Sequence, residues 1–276
     1  MLNKLKDKKS LNGKFSTTNF TKLGNYGTGH TSFNTKGLND FQRTSVIAFP
    51  KKETVTNQLL AFESGNDFAD FMPHLESTSV AAGEYLYKSD EHSNYVYFPE
   101  TAVISHLHTS ADGKTVEIAM IGSEGVSGLS EIFGTQPSAH CAQVTVGGSV
   151  TRIKTDLLKQ EFHRGGDFQI RLLDYMNAHI LQISQRIVCE SFHVIEERLS
   201  SWLLMLQDRA QKDQWQITHE QISLILGVNR PTITQAAKNL REKELIDYSR
   251  GKFYIVDREG LEFRACECYS TLQNVH

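Results

Sequence analysis

The stretch from Thr218 to Leu240 constrains this chain most, because it spells two short helices hinged at a glycine, with polar side chains leading the second. Thr218 followed three residues later by Gln221 fits a capping box, and Ile222, Leu224, Ile225 and Leu226 supply the apolar content of a first helix about two turns long. Gly227 permits the left-handed backbone of a tight corner. Asn229 is placed to cap a second helix starting at Arg230, with Pro231 in its first turn, where a missing N–H costs nothing. Ile233, Ala236, Ala237 and Leu240 recur at helical spacing and face inward, which leaves Arg230, Thr232, Thr234, Gln235 and Lys238 outward. This is the signature of a helix-turn-helix.

Arginine binds guanine in bidentate fashion, glutamine matches adenine and lysine neutralises phosphate. Thr218, Asn229, Arg230, Thr232, Thr234, Gln235 and Lys238 are therefore candidate contacts to double-stranded DNA. An ordinary helical hairpin with a solvated outer face has the same pattern, and the continuation favours DNA. Leu245 to Tyr248 and Phe253 to Val256 are β-type runs around Ser249-Arg250-Gly251-Lys252, the layout of a wing with a basic tip, which adds Arg250 and Lys252 to the candidates. From Asn229 to Lys252 six cations stand against three acids. The whole chain carries a formal charge of −3, so any DNA contact must come from this local patch and be sensitive to salt.

At 276 residues with 39% hydrophobic content, the chain has room for two domains with real cores. Residues 1–53 read as a disordered basic tail: its first 45 residues hold eight cations, two acids and no apolar period. A short helical lead from about Thr54 to Glu76 (Leu59, Leu60, Phe62, Phe68, Phe71, Leu75) opens the next domain, 54–166. There the period changes to two, and short strands are predicted around Tyr85, Tyr95, Val103, Val116, Ala142 and Val150, separated by turn signals such as Asp112-Gly113 and Gly147-Gly148. Many brief strands about ten residues apart indicate an antiparallel barrel or jelly roll.

A long helix follows over 167–193, capped by Asp167, with Leu172, Met176, Ile180, Ile183 and Ile187 as one apolar stripe. A helix of that length between two small domains is expected to bury the stripe against the same helix of a second subunit, so these five residues are the candidate dimerisation residues. Residues 194–276 form the winged helix-turn-helix domain, with Ile195, Leu199, Trp202, Leu203 and Leu206 as an amphipathic helix beneath it. The fold class is α+β: an N-terminal antiparallel barrel or jelly roll, a dimerisation helix and a C-terminal winged helix-turn-helix.

That order resembles the Crp/Fnr family of bacterial transcription regulators over about residues 54 to 269. Ile222, Ser223, Leu226, Gly227, Val228, Ile233 and Ala236 sit where the family places its helix-turn-helix core, and Arg230 and Gln235 stand at its base-reading positions. Pro231 replaces a frequent glutamate and Gln235 a frequent arginine, which implies an operator different from that of the cyclic-AMP receptor. The resemblance implies a cyclic-nucleotide-binding-like barrel, a homodimer, and DNA and RNA polymerase as partners. In the family, a barrel that takes a cyclic nucleotide carries Gly-Glu-Leu, then Arg-Ser/Thr-Ala about eight residues on. Here Leu129 stands in place of the glutamate, Ser138-Ala139-His140-Cys141-Ala142 follows, and no arginine lies between Gly122 and Thr151. A buried phosphate without a guanidinium is poorly compensated, so cyclic-AMP binding is not expected and the cofactor site is left unassigned.

Other constellations carry less. His219-Glu220 lacks the second histidine of a zinc protease, since position 223 is Ser. Residues 1–140 contain no cysteine, which argues against the N-terminal iron–sulfur cluster of the family's oxygen sensors. Cys266 and Cys268, with no second ligand pair nearby in sequence, read as packing residues, and His106 and His108 as a solvated strand face; no metal site is expected. No nucleophile, base and orienter emerge, so no catalysis is expected. No apolar run reaches membrane-spanning length and no secretory h-region follows Met1 to Lys9, which predicts a cytoplasmic protein without a membrane partner. The alternative function is a ligand-sensing or protein-interaction module that does not bind DNA.

Overall fold

The computed structural model describes residues 57–61, 72–134 and 136–273. The basic tail of residues 1–53 and residues 54–56 and 62–71 of the helical lead, Phe62, Phe68 and Phe71 among them, lie outside them. The described part of the predicted lead is not an α-helix: Asn57 to Ala61 is a turn, and Met72–His74 is a single 3-10 turn running into β1 (Glu76–Val80). Pro73 cannot continue a helical ladder, and the β-branched Thr78 and Val80 that follow suit a strand.

Six more strands complete two antiparallel sheets: β2 (Tyr85–Tyr87), β3 (Tyr95–Pro99), β4 (Val103–Thr109), β5 (Thr115–Ile121), β6 (Cys141–Val146) and β7 (Gly148–Lys154). One sheet runs β1-β7-β3, the other β2-β6-β4-β5. One cluster joins the two sheets through Tyr97, Val150, Ile104, Ile121 and Val144, while Val96, Phe98 and Ile153 on the opposite face of the first sheet pack with Leu158, Phe168 and Leu172; Tyr97 also forms an isolated backbone bridge with Ser127. Short helix α1 (Ser130–Phe133) lies between β5 and β6, and α2 (Thr155–Arg164) follows β7.

Helix α3 (Asp167–Phe192) has Gly166 rather than Asp167 at its N-cap, with Asp167 in the first turn, and it carries two apolar faces, where the sequence suggested one. Phe168, Leu172, Tyr175, Gln182 and Cys189 turn toward their own chain and are buried. Leu172 is therefore not part of a free stripe: it is 0% exposed, packed with Phe98, Ile153 and Leu158. The other face leaves Ile180 55% and Ile187 63% exposed, with Met176 and Ile183 half-buried at its edge. Helical spacing alone groups residues into faces without saying which face meets the chain's own barrel.

Helix α4 (Ile195–Ala210) is buried along most of its length by Leu199, Trp202, Leu203, Leu204 and Leu206. Then come β8 (Gln214–Gln216), α5 (His219–Ile225), α6 (Arg230–Glu242), β9 (Ile246–Ser249), β10 (Lys252–Ile255), α7 (Arg258–Arg264) and α8 (Glu267–Gln273). The last three strands pair in the order β8-β10-β9. Barrel and helical region share one hydrophobic cluster: Val103, Leu107, Met120 and Val146 pack with Trp202, Leu206, Ile222 and Ile225.

Two expectations are corrected by this packing. His106 is 4% exposed inside the barrel, while His108, on the same strand, is exposed and bonds the Ala139 carbonyl through Nδ1 at 2.9 Å. Alternation says which face a residue shares but not how deep along the strand it sits. Cys266 and Cys268 do have ligating neighbours, because α8 packs against the end of α3 and brings Cys189 and His193 to them. Among the described residues no helix is long and apolar enough to cross a membrane.

Candidate nucleic-acid interface

The helix-turn-helix is built by reciprocal caps. The Gln221 N–H donates to Thr218 Oγ1 at 3.2 Å, and the Thr218 N–H donates to Gln221 Oε1 at 2.9 Å, so two donors at the start of α5 are satisfied. Gly227 takes φ +64°, and the Val228 N–H donates to the Ser223 carbonyl at 3.0 Å to close the corner. Asn229 Oδ1 then accepts from the Thr232 N–H at 3.0 Å, which starts α6 with Pro231 in its first turn. The inner face of α6 is the predicted one, with Ile233, Ala236, Ala237 and Leu240 buried.

Its outer face exposes Arg230, Thr234, Gln235 and Lys238. Thr218, Asn229 and Thr232 stand at the same end, but their side-chain oxygens are occupied by the caps; the Thr232 hydroxyl donates to Asn229 Oδ1 at 2.6 Å. These three set where the helix begins rather than offering free hydrogen-bonding groups. Gln235 Nε2 donates to Asn239 Oδ1 at 2.8 Å, which orients its amide along the helix surface.

The wing turns at Arg250 and Gly251, with φ of +49° and +79°, while Ser249 pairs with Lys252 across the hairpin. A left-handed arginine is strained by about 1–2 kcal/mol, so the tip holds a cation where glycine or asparagine would fit more easily. Arg250 and Lys252 are exposed. The wing tip, the start of α5 and the first residue of α6 open on one groove, lined by Thr218, His219, Arg230, Tyr248 and Gly251.

The predicted excess of cations is divided by the fold. Arg241 Nε pairs with Asp247 Oδ1 at 2.8 Å beside the Tyr248 ring, Lys243 pairs with Glu196 of α4, and Lys238 lies 3.6 Å from Glu242. Asn239 Nδ2 donates to the same Glu196 carboxylate at 3.2 Å, tying the end of α6 to the start of α4. Among the described residues Arg230, Arg250 and Lys252 have no carboxylate partner; Arg230 lines the groove together with Glu220, and Arg250 and Lys252 flank Gly251 at the wing tip.

Sequence reading missed His219 and Tyr248. His219 Nδ1 lies 3.1 Å from Thr234 Oγ1, and its ring meets Tyr248 edge-on at 4.8 Å and Phe253 at 5.4 Å. Burial, and then the Arg230 charge, pull its pKa below the ordinary histidine value, so at neutral pH it is an uncharged spacer between recognition helix and wing. Its place at the first position of a capped helix was the only signal in the sequence.

The stretch that the resemblance equates with a nucleotide cassette folds as a polar cluster inside the barrel. His106 Nε2 lies 2.8 Å from Ser127 Oγ and 3.1 Å from Tyr87 Oη, and the His140 and His179 rings approach His106 at 4.3 and 5.7 Å. Glu131 of α1 is buried and pairs with His92 Nδ1 at 2.9 Å. Burial, then the neighbouring histidines, keep His106 well below the ordinary value and bring His140 to about 4. His106 and His140 are therefore uncharged at pH 7.

Residues 197–264 match the Crp-like helix-turn-helix domain and residues 77–164 the cyclic nucleotide-binding domain. No curated protein matches the sequence. Among solved structures, FixK2 from Bradyrhizobium japonicum aligns with a TM-score of 0.59 at 18% identity, over 70% of this chain and 98% of its own. A CRP-family transcriptional regulator from Thermus thermophilus aligns at 0.57 and 17% identity, over 68% and 96%. The c-di-GMP responsive regulator CLP of Xanthomonas campestris aligns at 0.56 and 12%, over 68% and 97%. At these identities the likeness is one of fold. The two matched domains together span more than half of the sequence in the order barrel, long helix, winged helix-turn-helix, and the chain belongs to the Crp/Fnr family of transcription regulators.

Proposed function

We propose that this chain is a dimeric, sequence-specific DNA-binding regulator that works without cyclic AMP. The observation that carries the reading is α6 itself. One face is locked into the core by Ile233, Ala236, Ala237 and Leu240, while Arg230, Thr234, Gln235 and Lys238 project from the other beside a cationic wing. In this reading Arg230 and Gln235 contact base edges, and Lys238, Arg250 and Lys252 contact phosphates.

The dimer is supported by the outward face of α3, where Leu173, Ile180, Leu181, Ile187 and Val188 are exposed large hydrophobics on one helix. A parallel pairing of two such helices places the recognition helices about a dyad and asks for an imperfect palindrome with half-sites about one helical turn apart. Independence from cyclic AMP is supported by Leu129 in the cassette, by the missing arginine between Gly122 and Thr151, and by the neutral imidazole and hydroxyl groups inside the barrel. RNA polymerase is the partner the family resemblance suggests.

The test is selection of genomic fragments by the pure full-length protein, followed by sequencing. Enrichment of one palindrome supports the reading, and recovery without any shared motif at low salt supports the rival reading of a protein- or ligand-binding module.

A further inference from the structure

Cys189 lies in the last turn of α3, His193 caps that helix, and Cys266 and Cys268 flank the start of α8. The fold brings four ligating atoms from these distant positions within 4.8 Å of one another. Cys189 Sγ and Cys266 Sγ are 3.5 Å apart, and Cys268 Sγ lies 3.4 Å from His193 Nδ1. Zinc bonds thiolate at about 2.3 Å and imidazole at about 2.0–2.1 Å, so a tetrahedral site has S–S edges of about 3.8 Å and S–N edges of about 3.5 Å. The two short separations, 3.5 and 3.4 Å, lie close to these edges, and the widest pair needs to close by about 1 Å. A disulfide, with its S–S bond of about 2.05 Å, is not formed, and all three cysteines here are free and buried.

The surroundings match a metal site as well. His193 turns Nδ1 toward the sulfurs and Nε2 toward Glu267 Oε1 at 3.1 Å, the carboxylate–histidine arrangement that fixes a ligand's tautomer. Gln185 Nε2 donates to Cys268 Sγ at 3.0 Å, and Ser201 Oγ lies 3.1 Å from Cys266 Sγ. Three thiolates and one neutral imidazole leave a zinc site with net charge −1, and Arg186 and Arg198 line the same small cavity as Cys189 and Cys268.

The geometry points to a structural Cys3His zinc site that staples the end of the long helix to the C-terminal helix. Binding one Zn2+ releases the three thiol protons to solvent and leaves the Nε2 proton of His193 on its bond to Glu267. The structural need is plain: α7 and α8 are seven residues each, too short to hold helical form without tertiary anchors, and α8 carries one ligand and is entered through another. The inference concerns a part of the chain outside the DNA groove and does not depend on how the groove is used.

The test uses the reduced, full-length protein with any affinity tag removed. Elemental analysis after dialysis should find one zinc per chain. Titration of the chelator-treated protein with Co2+ alone should give a near-ultraviolet thiolate band and intense visible bands that saturate at one equivalent and vanish on adding Zn2+. Cys268→Ser should abolish the stoichiometric end point. Because that variant can also disturb packing, Glu267→Gln provides the second reading: its carboxylate is solvent-accessible, and metal affinity should fall about 10–100-fold with the metal-free circular dichroism unchanged. Absence of stoichiometric zinc, a weak octahedral cobalt spectrum, an iron–sulfur chromophore in the purified protein, or unchanged affinity in both variants overturns the assignment.

Discussion

Glu117 on strand β5 accepts a hydrogen bond at 2.9 Å from the indole N–H of Trp202 on helix α4, and so pins the helical domain to the barrel. The same carboxylate accepts from the Ser105 hydroxyl and lies 3.7 Å from Arg186 Nη1 of the long helix. Arg186 Nη2 in turn donates to the Ile225 carbonyl at 2.9 Å, at the end of the first helix of the helix-turn-helix. A single buried carboxylate, 2% exposed, thus connects the barrel, the long helix and the helix-turn-helix domain. Burial pushes its pKa up, and Arg186 opposes that shift. Removing one member of such a buried set costs about 3–5 kcal/mol, because the partners are left desolvated and unpaired. Glu117→Ala should lower the urea midpoint accordingly without changing the slope, and Glu117→Gln, which keeps an acceptor oxygen, should lower it less.

The groove separates two kinds of cation. Arg230→Ala should weaken binding to the selected operator by about 1–3 kcal/mol while sparing a scrambled duplex. Arg250→Ala and Lys252→Ala should weaken both duplexes alike and reduce the salt slope by about one unit each. Gel-shift titrations at several salt concentrations decide between these outcomes, and equal losses on both duplexes for Arg230→Ala would exclude its base-reading role.

The barrel histidines set a direction for pH. His106 and His140 are held below the ordinary histidine value in the folded chain, so between 6.5 and about 4 the unfolded chain binds more protons than the native one. Their contribution to stability is complete above the unfolded value and is lost as pH falls through this window. The melting temperature should drop between pH 7 and pH 5, with His140 alone accounting for on the order of 2 kcal/mol. His140→Gln should flatten that dependence, and a melting temperature constant over the window would contradict it.

Caps and corners of the helix-turn-helix are separately testable. Asn229→Ala removes the acceptor for the Thr232 N–H and should cost about 1 kcal/mol in thermal or urea unfolding. Gly227→Ala forces a side chain into the left-handed region, with its Cβ 3.3 Å from Val116 Cγ2 of β5, so it should cost at least as much.

The exposed face of α3 provides the last prediction. If α3 pairs as proposed, the wild-type chain should sediment as a dimer in analytical ultracentrifugation, and Ile180→Glu with Ile187→Glu, which places like charges on that face, should sediment as a monomer. The far-ultraviolet spectrum should change little, because neither side chain is part of the chain's own core.

The segment from Thr218 to Lys252 was readable in advance because the information there is local. Caps act over three residues, a left-handed corner needs glycine, and a recognition helix shows its buried face in its own spacing. The alternation of the barrel strands was visible for the same reason. What the chain pattern alone could not determine is depth and partnership. Leu172 and Ile180 sit at equivalent-looking helical positions, yet the barrel covers one and leaves the other bare. His106 and His108 share a strand, yet one is walled in by Tyr87, Ser127, His140 and His179. Glu117 meets Trp202 across 85 residues, and Cys189 meets Cys266 across 77. Those meetings arise from how sheets and helices pack against one another, because burial, charge compensation and ligand geometry depend on distance in space rather than along the chain.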